Sequence, residues 1–130
     1  EMPVNIRWTA VISGFMTDFA LTILLQMFIV LIGQTTVFTD PSLQNPIHIV
    51  LILIGAGLTG VGGFVAAWLA GESFAMHGFL VGVVGILVAA LANVGVAVPP
   101  LLLLGQVIGC ICGALGGVLA GRLRTSVRLK

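Results

Sequence analysis

The chain has 130 residues, 59% of them hydrophobic and 7% charged, with five Lys or Arg against four Asp or Glu. A soluble domain carries charge on about a quarter of its residues, so this composition cannot cover a water-facing surface. It excludes a soluble enzyme, a nucleic-acid binder and a disordered tail, and it points to an integral membrane protein.

One helical span takes about 20 apolar residues, and four runs of that kind are present: Trp8 to Ile32, Ile47 to Ala70, Gly78 to Val98 and Leu101 to Ala120. A helix pairs its own backbone groups, which lipid cannot do, and the alternation of a barrel strand is missing. The expected fold is therefore all-α: a single-domain, four-helix membrane bundle.

In the first run, Ala10, Gly14, Asp18, Thr22 and Gln26 recur at steps of four, with Ser13 and Thr17 alongside. Residues four apart share a helix face. Asp18 is the one charged residue type inside any run, about 15 Å into the helix and so near the bilayer midplane. A charge there costs several kcal/mol, so a neutral or strongly hydrogen-bonded carboxyl is expected, with Thr17, Thr22 and Thr59 as neighbours. Three readings stay open for it: an interhelical hydrogen-bond clamp, a proton or cation site, and a contact with another subunit. The run is too long for a cleaved signal peptide and lacks a small-x-small site after it.

Gly33 to Pro46 reads as a polar loop with a turn at Asp40-Pro41. The second run then carries the row Gly55, Thr59, Gly63, Ala67 and Gly71. A short loop from Gly71 to His77 holds Glu72, and the third run has Gly78, Gly82, Gly85, Ala89, Ala92 and Gly95 at steps of three and four. Pro99-Pro100 predicts a tight turn, since proline cannot continue the third helix. The fourth run holds an unbroken row, Gly105, Gly109, Gly113, Gly117 and Gly121. Such rows let helix backbones approach closely, where dispersion and not the hydrophobic effect drives association. They are expected either to pack this bundle or, for the fourth run above all, to dock another membrane subunit or a second copy. Laying the second run on the fourth matches Ile54 with Ile108, Gly55 with Gly109, Gly62 with Gly116 and Ala66 with Ala120, which suggests a duplicated two-helix hairpin.

Gln26, Asn93 and Gln106 come from three helices at similar heights. They read as interhelical amide glue, worth about 0.6 kcal/mol a bond, or as a polar vestibule above Asp18. His48 and His77 start the second and third runs at opposite faces, so they cannot share a haem across about 30 Å of hydrocarbon. Either one alone is a candidate ligand for a pigment magnesium, although no cofactor is expected. Cys110 and Cys112 point to different faces of one helix and read as packing residues. Trp8 and Trp68 read as interfacial anchors. The basic residues, Arg7 and the tail Arg122, Arg124, Arg128 and Lys130, all fall on one side of a four-span chain. The positive-inside rule places that side, both termini and the Glu72 loop in the cytoplasm, with the tail lying against anionic headgroups.

The segments Gly62-Gly63-Phe64-Val65-Ala66-Ala67, His77-Gly78-Phe79-Leu80-Val81-Gly82 and Gly116-Gly117-Val118-Leu119-Ala120-Gly121 resemble the YrzE-like family of small four-helix bacterial membrane proteins. The resemblance covers the second to fourth runs. It implies a fold and a bacterial inner-membrane location, with no activity or functional residue to carry over. Small multidrug-resistance exporters are similar in length, span number and a single acidic residue in the first span. Their pattern uses Glu there with tyrosine and other aromatics around the substrate, whereas this chain has Asp18, no tyrosine and two tryptophans, both near the cytoplasmic boundary. Two functions are carried forward. The first is a non-enzymatic accessory or structural subunit that packs on other membrane proteins through its glycine faces. The second is a small proton-coupled transporter with Asp18 as its proton site.

Overall fold

The computed structural model describes residues 5–129; Lys130, counted above among the basic markers, lies outside them. The chain forms α1 (Trp8–Leu31), a single-turn α2 (Thr36–Thr39), α3 (Pro46–Ala70), α4 (Phe74–Ala92) and α5 (Pro100–Arg128). α1, α3, α4 and α5 are each long and apolar enough to cross a membrane, so this is a multi-pass membrane protein. Leu24, Leu53, Leu91 and Leu115 lie with many other large apolar side chains on the outside, where hydrocarbon replaces water.

α1 and α3 begin and end close to where the hydropathy places them. Asn45 caps α3 by accepting from the Ile47 N–H at 3.1 Å, with Pro46 in the first helical position, where its missing N–H costs nothing. Gly71, at φ 77°, closes α3 in the left-handed region that glycine occupies without penalty.

The second half departs from expectation in three places. α4 runs from Phe74 to Ala92 instead of Gly78 to Val98. It starts a turn early because the connection after α3 needs only Gly71 to Ser73. It stops early because the Asn93 amide donates to the Ala89 carbonyl at 2.7 Å, Gly95 turns to φ 81°, and a residue before proline avoids the helical region. Pro99 and Pro100 do not form the turn either. They start α5, Pro99 as its N-cap, because a ring-fixed φ suits a helix entry. Finally, the basic tail is helical. α5 continues unbroken to Arg128, about 43 Å in all and longer than the hydrocarbon core. Arg124 donates from Nη1 to the Trp68 carbonyl, which ties this extension to the end of α3.

The helices form a ring in which α1 packs on α3, α3 on α5, α5 on α4, and α4 more sparsely on α1. α3 and α4 also touch across the ring. Small residues make these crossings. A Cβ at Gly14 would meet the Gly62 carbonyl and come 2.6 Å from Ala66 Cβ. One at Gly63 or at Gly78 would meet the Gly113 carbonyl. One at Gly82 would lie 2.6 Å from Cys110 Cα. All these contacts lie in the half of the bundle that holds the Arg7 and Glu72 ends. The buried cluster of Val11, Ala66 and Val81 fills the same half. In the other half the helices diverge.

Candidate functional site: a carboxyl at the floor of a membrane cavity

The divergence leaves a cavity of about 570 Å³ among all four long helices, within the range of sites that take drug-sized ligands, about 300–1,000 Å³. Its walls are mostly apolar. Its mouth is framed by Val37 and Phe38 of α2 and by the connection from Val96 to Pro99. Asp18 and Thr59 lie at its floor, next to the glycine crossings: a Cβ on Gly62 would lie 2.8 Å from Asp18 Cβ.

Asp18 is buried and holds a hydrogen bond on each carboxyl oxygen. Thr22 Oγ1, one turn along α1, donates to Oδ1 at 3.2 Å. Thr59 Oγ1, on α3, donates to Oδ2 at 3.1 Å. A hydroxyl is both donor and acceptor, so these partners satisfy a carboxylate in this arrangement and a protonated carboxyl after one O–H rotates. Among the described residues no basic side chain lines the cavity; Arg7 and Arg124 sit at the other end of the bundle. Thr17, the other expected neighbour, bonds instead to the Ser13 carbonyl of its own helix at 3.0 Å.

The five residues singled out as a polar or proton site, Asp18, Thr22, Gln26, Asn93 and Gln106, all line this one cavity. They do not form the expected amide glue. The Asn93 amide bonds to its own helix, and among the described residues no hydrogen bond joins Gln26, Asn93 and Gln106 to one another. The three amides stand higher on the wall, with Asp18 and Thr22 below.

The eight residues assigned to helix packing or partner binding separate differently. Gly109 and Gly113 lie against Thr59, with a Cβ at Gly109 falling 3.3 Å from its hydroxyl oxygen. Gly63 meets the Gly113 backbone, Gly117 the Phe74 carbonyl, and Gly121 the Phe74 ring. Gly105 faces Ile52, 2.8 Å from its Cγ2. Only Gly55 has room, with Leu25 Cδ2 at 3.8 Å the nearest atom. The fourth-run row therefore faces into this chain, and no length of it is left on the outside for a partner. Residues matched between the second and fourth runs lie roughly opposite one another, because α3 and α5 run parallel with Ala56 beside Gly109.

Both histidines are buried and have both ring nitrogens engaged. His77 Nε2 accepts from the Arg7 N–H at 3.0 Å, so Nδ1 carries the proton and donates to the Ser73 carbonyl at 3.0 Å. His48 Nδ1 accepts from the Ser42 N–H at 3.1 Å, and Nε2 lies 3.1 Å from Thr36 Oγ1. A pigment magnesium would have to break one of these bonds, so the ring geometry places both histidines as structural ties. Cys110 and Cys112 are free thiols, and among the described residues no cluster of three or more His, Cys, Asp or Glu side chains is placed to hold a metal ion.

α2 was the element missed from sequence. Val37 is buried with Ile29 and Leu51, and Phe38 packs beside them, so the polar loop places apolar side chains at the cavity mouth. The Val-Phe pair within a Thr-rich stretch was the available signal.

No family model matches the chain, and neither the curated proteins nor the solved structures gave a match.

Proposed function

We propose that this multi-pass protein is a small, non-enzymatic membrane transporter in which Asp18 takes up and releases the coupling proton. One observation carries the reading: a carboxyl at the floor of a cavity of about 570 Å³, held by two hydroxyls that can serve either protonation state. An ionisable group at membrane depth that faces a cavity is by default a functional candidate. This one has cavity on one side and the closed glycine crossings on the other, so it stands where a gate would divide the two faces of the membrane. The reading includes a bacterial inner-membrane location, in keeping with the YrzE-like resemblance, and both termini in the cytoplasm, in keeping with the shared side of Arg7, Arg122, Arg124 and Arg128.

The accessory-subunit reading ranks second. It rested on a glycine row free to dock a partner, and the α5 row is occupied by α3 and α4. Its remaining surface is the bulky apolar exterior, which lipid covers equally well.

The test uses vesicles reconstituted with the chain and loaded with a pH-sensitive dye. They are challenged with amines, organic anions and neutral solutes against protein-free vesicles. At least one solute class is expected to drive proton movement, and Asp18→Asn is expected to abolish it with helicity and thermal stability intact. Equal proton movement in wild type and Asp18→Asn, or none with any class, refutes the reading. Recovery of the chain in a stable larger membrane complex would then favour the accessory subunit.

A further inference from the structure

The cavity is walled on three seams and loose on the fourth. α3–α5, α4–α5 and α1–α3 are extensive contacts, whereas α1 and α4 meet sparsely, around Val11, Gly14 and Val81. Beyond that level α4 lines the cavity with the small residues Gly85, Ala89 and Ala92 as well as Ile86 and Val88. A Cβ at Gly85 would meet no atom within 4 Å. Phe19 of α1 lines the same cavity and is also 46% exposed on the outside of the bundle. The same side chain thus borders both the cavity and the hydrocarbon.

The chemistry inside is equally lopsided. The walls are apolar, the floor is a carboxyl, and among the described residues the polar side chains that line it besides are hydroxyls and, higher up, amides. A ligand that satisfies this set has an apolar body and a cationic head with N–H donors. The head would donate to Asp18 Oδ1 or Oδ2 and to the Thr22 and Thr59 hydroxyl oxygens, each of which has a free lone pair. A quaternary ammonium has the charge without the donors, and an alcohol of the same chain has a donor without the charge.

We propose that the cavity binds a primary alkylammonium amphiphile that enters from the lipid phase between α1 and α4 and places its ammonium on Asp18. This rests on the transporter reading for its site and adds the ligand class and the route. Binding moves no covalent bond. The amine reaches Asp18 either protonated, which releases the proton of a neutral carboxyl, or neutral, in which case it takes that proton itself. Val37 and Phe38 make the mouth apolar, and the sparse α1–α4 seam lets an apolar chain reach the cavity without leaving the hydrocarbon.

The experiment is photolabelling in proteoliposomes with a decylamine that carries a diazirine in its chain, with labelled residues mapped by mass spectrometry. Labels are expected on Phe19 and Ile86, suppressed by decylamine, weakly by decyltrimethylammonium and not by decanol. Asp18→Asn should lower specific labelling about tenfold or more, the loss carried by a charged hydrogen bond. Gly85→Leu, which extends a side chain into the seam, should do the same. Gly57→Leu, at an exposed α3 position with equally free space, should leave labelling unchanged. Gly85→Ala gives a smaller step if Gly85→Leu fails to fold, and the wild-type map needs no variant at all.

Labels confined to outward residues such as Leu24 and Leu53, equal competition by decanol, or full labelling in folded Gly85→Leu would overturn the proposal. Asp18-dependent proton movement driven only by a non-amine solute would overturn it too and leave the transporter reading standing. Asp18-dependent amine labelling with no solute-driven proton movement would do the reverse.

Discussion

Single atoms account for the tightest parts of this bundle. Gly63 and Gly78 approach Gly113 so closely that a Cβ on either would strike its carbonyl oxygen. A backbone oxygen cannot swing away as a flexible side chain can. Gly78→Ala is therefore expected to destabilise the protein by about 1–3 kcal/mol, the usual cost of overpacking. Gly57→Ala, with open space at its Cβ, should be neutral or stabilise by up to about 1 kcal/mol through helix propensity. Thermal unfolding in detergent micelles compares the two, and equal midpoints would show that the α3–α4–α5 crossing is looser than described. The distinction was not legible in the sequence, where both glycines belong to an apolar run. The period of the row was legible, but the neighbour it faces depends on helix rotation.

At the scale of elements, the ends of helices carry most of what sequence reasoning missed. His77 joins two of them. Its ring accepts from the Arg7 N–H at the start of α1 and donates to the carbonyl of Ser73, a residue held at φ 46°. A non-glycine residue in that left-handed region costs about 1–2 kcal/mol, which the surrounding bonds must offset. His77→Ala leaves the Arg7 N–H without its partner and should cost about 1–3 kcal/mol. Hydrogen exchange should rise in the first turn of α1 and in residues 71–73, while the α5 core stays protected. Unchanged exchange in those two segments would contradict the tie. The hydropathy placed the starts of α1 and α3 well because polar or capping residues flank them. It misplaced the end of α4 because Val94, Val96 and Val98 are as apolar as the helix they follow, and only Gly95 and the two prolines stop it.

For the whole molecule, the consequence is a one-ended bundle: glycine crossings close the half near Arg7 and Glu72, and a cavity opens the other toward α2. The topology with four spans puts residues 42 and 126 on opposite sides of the membrane. Ser42→Cys and Ser126→Cys should accordingly react with a membrane-impermeant thiol reagent from opposite sides in oriented vesicles. The background is set by Cys110 and Cys112, which lie within α5. Reaction of both from one side would refute the four-span arrangement. The same one-ended shape explains why the five polar candidates converge: Asp18, Thr22 and Gln26 share a face of α1, and the splayed ends of α4 and α5 bring Asn93 and Gln106 to the same space.

The sequence by itself determined the class of the elements and the number that span the membrane. Sparse charge, run length and the need to pair every backbone group in lipid leave no other choice than four helices. It also determined that Asp18 must have company, because an unpartnered carboxyl at that depth costs too much, and it named Thr22 and Thr59, together with Thr17, which bonds to its own helix instead. Only the tertiary structure decided what the small-residue rows do and where the polar residues look. Both depend on how each helix is turned about its axis, and a helix that is apolar nearly all round holds little record of that angle. Close packing of glycine backbones sets it here: it turns the α5 row inward, and it leaves the cavity at the end where such packing stops.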